Sequence, residues 1–219
     1  FRTNANENKE LFVVGGYKSD TLTFEDIYKL DTNIGMDAPN AEGWKLVTPT
    51  FAANFNLEQN KLNRALAAKV WLSSDGKTGD FVVFAAGTDA KKNDDGQAVV
   101  YTVKANGDVS VGPMKITAAT PDNGMPVARI GASLTKITDN TALLFGGESL
   151  AGNTLNDAWK LTRNGDGSYT WSKLASDNDA PSVRTSHTAV ANDRKVYIFG
   201  GSLKNKNVVD DKGAVFVYD

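Results

Sequence analysis

The chain has no cysteine among its 219 residues, which removes disulfides, thiolate metal sites and thiol nucleophiles together. It has one histidine, His187, too few for the multi-imidazole sets of zinc, iron or copper centres. No apolar run approaches the ~20 residues of a membrane-spanning helix, and the opening "FRTNANENKE" has no apolar centre of the kind a signal segment carries. Direct membrane insertion is therefore not expected. Neither sign of charge dominates: 24 Lys and Arg stand against 26 Asp and Glu with no long run of either. That balance argues against nucleic acid or anionic lipid as a partner. Asn-x-Ser/Thr sites are also absent.

What is present is a turn-rich globular composition, 41% hydrophobic with 20 glycines, long enough for one large all-β domain or two ordinary ones. An apolar run closed by small residues occurs four times: "LFVVGG" ending at Gly16, "FVVFAAG" at Gly87, "TALLFGG" at Gly147 and "KVYIFGG" at Gly201. A second apolar run follows each, with its aromatic (Tyr28, Tyr101, Trp159, Phe216) 12 to 15 residues beyond the closing glycine. Further runs, "GWKLV", "DVSVGPMKI" and "YTWSKLA", follow in three units, and Arg64, Arg129 and Arg184 open a run upstream of three glycines. Repetition at this spacing, with loop insertions, reads as units of four short strands each. Val, Phe, Tyr and Ile enrichment favours strands. The joints "SSDGKTGD", "ANGD", "RNGDGS" and "AND" supply residues that tolerate the positive φ of tight hairpins. Residues 55–71 have helix formers but a poor apolar stripe, and are expected to form a long loop followed by a strand.

The Arg-led first run, the closing glycine pair and the spaced aromatics together resemble the Kelch motif of β-propellers, including the propeller domain of galactose oxidase. The resemblance covers nearly the whole chain and implies an all-β Kelch-type propeller of about four four-stranded blades, with units near 11–48, 64–117, 127–175 and 182–219. The second unit departs from the pattern, with Ala86-Gly87 for Gly-Gly and no Trp in its fourth run. The first and last units read as partial, so the chain is expected to be part of a larger propeller or an assembly. An open array would leave apolar sheet faces in water.

The glycine pairs lack the lysine and following helix of a phosphate loop, so a backbone role is expected. His187 falls in the Arg-x-x-His arrangement from Arg184, where packing is expected over catalysis. "TRNGDGSYT" imitates a calcium loop, but Thr162 and Lys173 stand where the first and last acidic ligands belong, leaving a hairpin turn. No catalytic residue, metal site or cofactor is expected.

In a meander the joints between second and third strands share a rim with the connections between blades, and binding concentrates in such loops. The candidate partner-binding residues are Tyr17, Lys18, Asp20, Phe24, Asp89, Lys91, Glu148, Asn153, Lys204 and Asn207. Their mixture of charge and aromatics suits a protein or a glycan. The leading expectation is a non-enzymatic protein-interaction or structural module, with the propeller completed by another segment or subunit. The alternatives are an extracellular carbohydrate-binding propeller and the non-catalytic part of a galactose-oxidase-like enzyme. The setting leans toward secretion or the cell surface over the cytoplasm.

Overall fold

The computed structural model describes residues 2–3, 6, 9–19, 22–31, 43–53, 67–73, 75–85, 97–117, 124–175, 180–203 and 215–218. Among the described residues there is no helix. The first sheet has four strands in chain order: β1 (Arg2–Thr3), β2 (Lys9–Ser19), β3 (Leu22–Asp31) and β4 (Trp44–Val47). The second contains β5 (Thr50–Phe51), β6 (Ala68–Leu72), β7 (Gly79–Ala85), β8 (Gln97–Val103) and β9 (Val109–Pro113). Its meander runs β6 to β9, and β5 adds in parallel on the outside of β9. A two-stranded ladder joins β10 (Arg129–Ile130) to β13 (Glu148–Ser149). The third sheet comprises β11 (Ser133–Lys136), β12 (Thr141–Phe145), β14 (Ala158–Arg163) and β15 (Tyr169–Lys173). The fourth holds β16 (Thr188–Asn192), β17 (Lys195–Phe199) and β18 (Val215–Tyr218).

Sheets pack face to face in chain order. One core cluster joins Phe12, Val14 and Ile27 of the first sheet to Phe81, Val83 and Val99 of the second. Another joins Val82 and Phe84 to Leu134, Leu144 and Trp171 of the third, with Phe84 and Trp171 edge to face at 5.3 Å. A third joins Leu143 and Phe145 to Val196 and Ile198 of the fourth. This explains the unbroken apolar runs. In β7 the alternate residues Phe81 and Val83 face one neighbouring sheet while Val82 and Phe84 face the other, so both parities of the strand must be apolar.

The turns follow the residues. Asp75 Oδ1 accepts from the N–H groups of Lys77 and Thr78 at 2.8 and 2.7 Å, and Gly107 and Gly167 take positive φ in their hairpins. Asp193 and Arg194 form the β16–β17 turn with φ of 50° and 70°. The Ala68–Leu72 strand stands at the end of the 55–71 segment as expected, whereas residues 54–66 lie outside the described residues.

Candidate functional site

The glycine pairs of the last two units sit at equivalent places. Gly146 and Gly147 have φ of +62° and +98°; Gly200 and Gly201 have +61° and +101°. A Cβ on Gly147 would lie 2.9 Å from the carbonyl oxygen of Ile130 and from Cβ of Ala132. Only glycine accepts both that conformation and that proximity. The arginines act on these pairs, Arg129 from β10 and Arg184 from the segment before β16. Arg129 donates from Nη1 to the Gly146 carbonyl at 3.0 Å, and Arg184 donates from Nη1 to the Gly200 carbonyl at 2.8 Å. The Gly147 N–H in turn donates to the Arg184 carbonyl at 2.8 Å, tying the third sheet to the fourth. The doublets thus serve the main chain at a joint between blades. Gly16 lies within β2 beside a bulge, and Gly87 lies outside the described residues.

Arg129, 1% exposed, also forks onto Asp157 at 2.5 and 2.9 Å, and the Trp159 indole N–H donates to the same carboxylate at 2.6 Å. Burial opposes ionisation of Asp157, but the bonds from Arg129 and Trp159 outweigh it and hold the carboxyl below its ordinary range. His187 places Nε2 2.8 Å from Ser133 Oγ across the joint and stacks edge-on against Phe145. Burial, helped by the Arg184 charge, pushes the imidazole down to about 4. Among the described residues no group orients its Nδ1, which is buried. The pair therefore lacks the third member that turns Ser and His into a nucleophile and base. Among the described residues no group of three or more His, Asp or Glu is arranged to hold a metal ion.

The rim residues are placed unevenly. Glu148 is half-buried in β13, paired with Ile130, and Asn153 is exposed in the turn that follows, its N–H donating to Ser149 Oγ at 3.2 Å. Tyr17, Lys18 and Phe24 are strand positions, not loop positions: Tyr17 pairs with Thr23 and Gly16 with Phe24. The expectation that Tyr17, Lys18 and Phe24 sit in a loop joining second and third strands is thereby corrected. Two bulges let β2 and β3 run past the glycines to Ser19 and Leu22, where Tyr17, Thr23 and Phe24 are good strand formers. Asp20, Asp89, Lys91, Lys204 and Asn207 lie outside the described residues.

Sequence reasoning missed a polar cluster at the opposite end of the sheets. Asp80, 3% exposed, accepts from Thr102 Oγ1 at 2.6 Å, Arg163 Nε at 2.7 Å and the Tyr169 hydroxyl at 2.5 Å. Burial foremost, then the Asp80 charge, drives the Tyr169 hydroxyl well above its ordinary range, so it stays a donor. Asp80 sat in a stretch whose turn signals were the dominant message.

Sheets packed radially in chain order, with arginines clamping glycine carbonyls between them, define a Kelch-type β-propeller. The chain belongs to the KLHDC2/KLHL20/DRC7 Kelch-repeats domain family, whose model matches residues 77–219. The solved structure of YjhT is similar over 90% of this chain and 57% of its own, with TM-score 0.55 and 16% identity, a likeness of fold alone. A 78-residue stretch, 36% of the chain, is 40% identical to tRNA wybutosine-synthesizing protein 2/3/4 of Oryza sativa subsp. japonica and spans 7% of that protein. Membership of a Kelch-repeat family supports a protein-interaction module.

Proposed function

We propose that the chain is a non-enzymatic protein-interaction or structural module working within a propeller that another segment or subunit completes. One observation carries this reading. In the second and third sheets the second strand is covered on both sides, with Val83 at 0% and Phe145 at 3% exposure. The corresponding strands of the outer sheets have the same unbroken apolar sequence but only one covered face, leaving Val13 at 43% and Phe199 at 40%. Cross-strand pairing extends each open face, from Val13 through Tyr28 to Leu46 in the first sheet and from Phe199 to Val215 in the fourth. Contiguous apolar surface of this kind marks a contact. The two faces are the unmatched halves of an interface the chain makes three times internally.

Protein partners would meet the rim that carries Glu148 and Asn153, and the candidates Tyr17, Lys18, Asp20, Phe24, Asp89, Lys91, Lys204 and Asn207 are proposed for the same role. No observation among the described residues favours a glycan ligand or galactose-oxidase-like chemistry over this reading. The test is the chain expressed alone. Concentration-dependent association in sedimentation, or binding of a dye specific for exposed apolar surface, is expected. A cooperative, soluble monomer that binds no dye would overturn the reading.

A further inference from the structure

Two connections between sheets do more than join them. The chain leaves β4 and runs at once beside the outer strand of the next sheet: Thr50 pairs with Ser110 and Phe51 with Val111 in parallel, and the Ala52 N–H donates to the Val111 carbonyl at 2.8 Å. The chain leaving β9 does the same to the third sheet. Ile116 bridges Tyr169 in parallel, the Tyr169 N–H donating to the Lys115 carbonyl and the Thr117 N–H to the Tyr169 carbonyl, both at 2.8 Å. The threonines match as well: Thr50 Oγ1 donates to the Val109 carbonyl and Thr117 Oγ1 to the Tyr169 carbonyl, each at 3.3 Å. Each strap satisfies outward N–H and C=O groups that an edge strand otherwise leaves open.

The register locates the same edge on the first sheet. Met114 and Leu174 follow β9 and β15 and donate to the Ala98 and Ala158 carbonyls at 3.3 and 2.9 Å, while Val47 pairs with Ile27 at the end of β4. Three residues before these lie Val111, Trp171 and Trp44, and three residues after Val47 and Met114 stand Thr50 and Thr117. Val111 and Trp171 are 1% and 2% exposed, whereas Trp44 is 51% exposed. β4 is the edge of its sheet, and no strap runs along it among the described residues. A second copy of the chain does not fit there, because both of its described straps are bonded within it.

We propose that the outer edge of β4, at Gly43 to Lys45, docks in parallel the extended segment that trails the outer strand of a further sheet stacked on the first. This rests on the reading that another segment or subunit completes the propeller, and it adds a polarity: the first sheet's neighbour presents its trailing end. In the existing straps Phe51 and Ile116 stay 52% and 37% exposed, so main-chain bonds rather than strap side chains carry the contact.

The absence of native cysteine lets a single thiol report on this edge. In the second sheet a Cβ on Gly112 would lie 3.3 Å from the Ala52 Cβ, near the Cβ separation of a disulfide, and Lys45 is the matching residue of β4. Lys45→Cys is joined to an acetylated, amidated peptide of residues 47–53 carrying cysteine in place of Ala52, and the mixed disulfide is titrated with glutathione. The link should resist reduction at least about fivefold better than the same link at Lys104→Cys, an exposed turn position. Acrylamide quenching of Trp44, the one exposed tryptophan of the four, should fall in the linked protein. N-methylation of the peptide's cysteine amide, the counterpart of the Ala52 N–H, should abolish both effects, and so should reversal of the peptide's sequence. Equal resistance at the two thiols, an unprotected Trp44, or protection that survives N-methylation or reversal would overturn the proposal. Association and dye binding by the chain alone are read separately, so failure of the strap leaves the open-face reading standing.

Discussion

A methyl group at Gly147 would meet a carbonyl oxygen and another Cβ at 2.9 Å while the backbone holds φ at +98°. Strain and collision add there, so Gly147→Ala is expected to destabilise by at least ~2 kcal/mol. At Gly200 the φ is also positive but nothing lies within 4 Å of a Cβ, and at Gly165 the site is open with no positive φ. Alanine should cost about 1 kcal/mol at Gly200 and close to nothing at Gly165. Urea denaturation of the three variants checks the order, and a Gly147→Ala protein as stable as Gly165→Ala contradicts the packing role. His187 gives a second residue-level expectation. Its folded-state value of about 4 lies below the ordinary 6.5, so above pH 6.5 both states are neutral and stability is complete. As pH falls from 6.5 toward 4 the unfolded chain binds the proton first, and stability drops by up to ~1.4 kcal/mol per unit, about 3 kcal/mol across the window. Unfolding measured from pH 7 to 5 should show this slope, and His187→Asn should flatten it.

At the scale of the element, two connections depart from what their turn chemistry favours. The β16–β17 turn places Asp193 and Arg194 at positive φ, where Asn-Gly or Asp-Gly is preferred. Arg194→Gly should raise stability by roughly 0.5–1 kcal/mol, seen as a higher melting temperature. A fall would mean that the arginine side chain makes a compensating contact. Other hairpins were legible in advance because Asp75, Gly107 and Asp166 announce their own turns. The first hairpin was misread since a glycine pair there does not end the strand: bulges absorb it and pairing resumes at Gly16 and Phe24. The Asp80 cluster was invisible for a different reason. Two of its members, Arg163 and Tyr169, are 83 and 89 residues from Asp80 in sequence, on a neighbouring sheet, and a local pattern holds no trace of such a pairing. Asp80→Ala strands the Arg163 Nε and the Tyr169 hydroxyl at the second-to-third-sheet contact, at an expected cost of ~2–4 kcal/mol.

For the whole molecule, the repeated pattern conveyed more than the number of sheets. Strands covered on two sides need apolar residues at every position, and "LFVV" and "KVYIF" carry that signature although only one face of each strand is covered among the described residues. The arrangement sets a clear contrast between two kinds of substitution in the fourth sheet. Ile198, 2% exposed, packs in the cluster with Leu143 and Phe145; a lysine there would bury a charge without a partner and should prevent folding. Val217, 52% exposed on the open face, gives up little on becoming lysine, so the melting temperature should stay within a few degrees of the parent. Leu46, 59% exposed on the first sheet, should behave likewise. Both exposed variants should nevertheless associate less in sedimentation, since each places a charge in the middle of an apolar contact. If Leu46→Lys and Val217→Lys keep the parent's association unchanged, the open faces are not where the chain meets its neighbours, and completion through them fails.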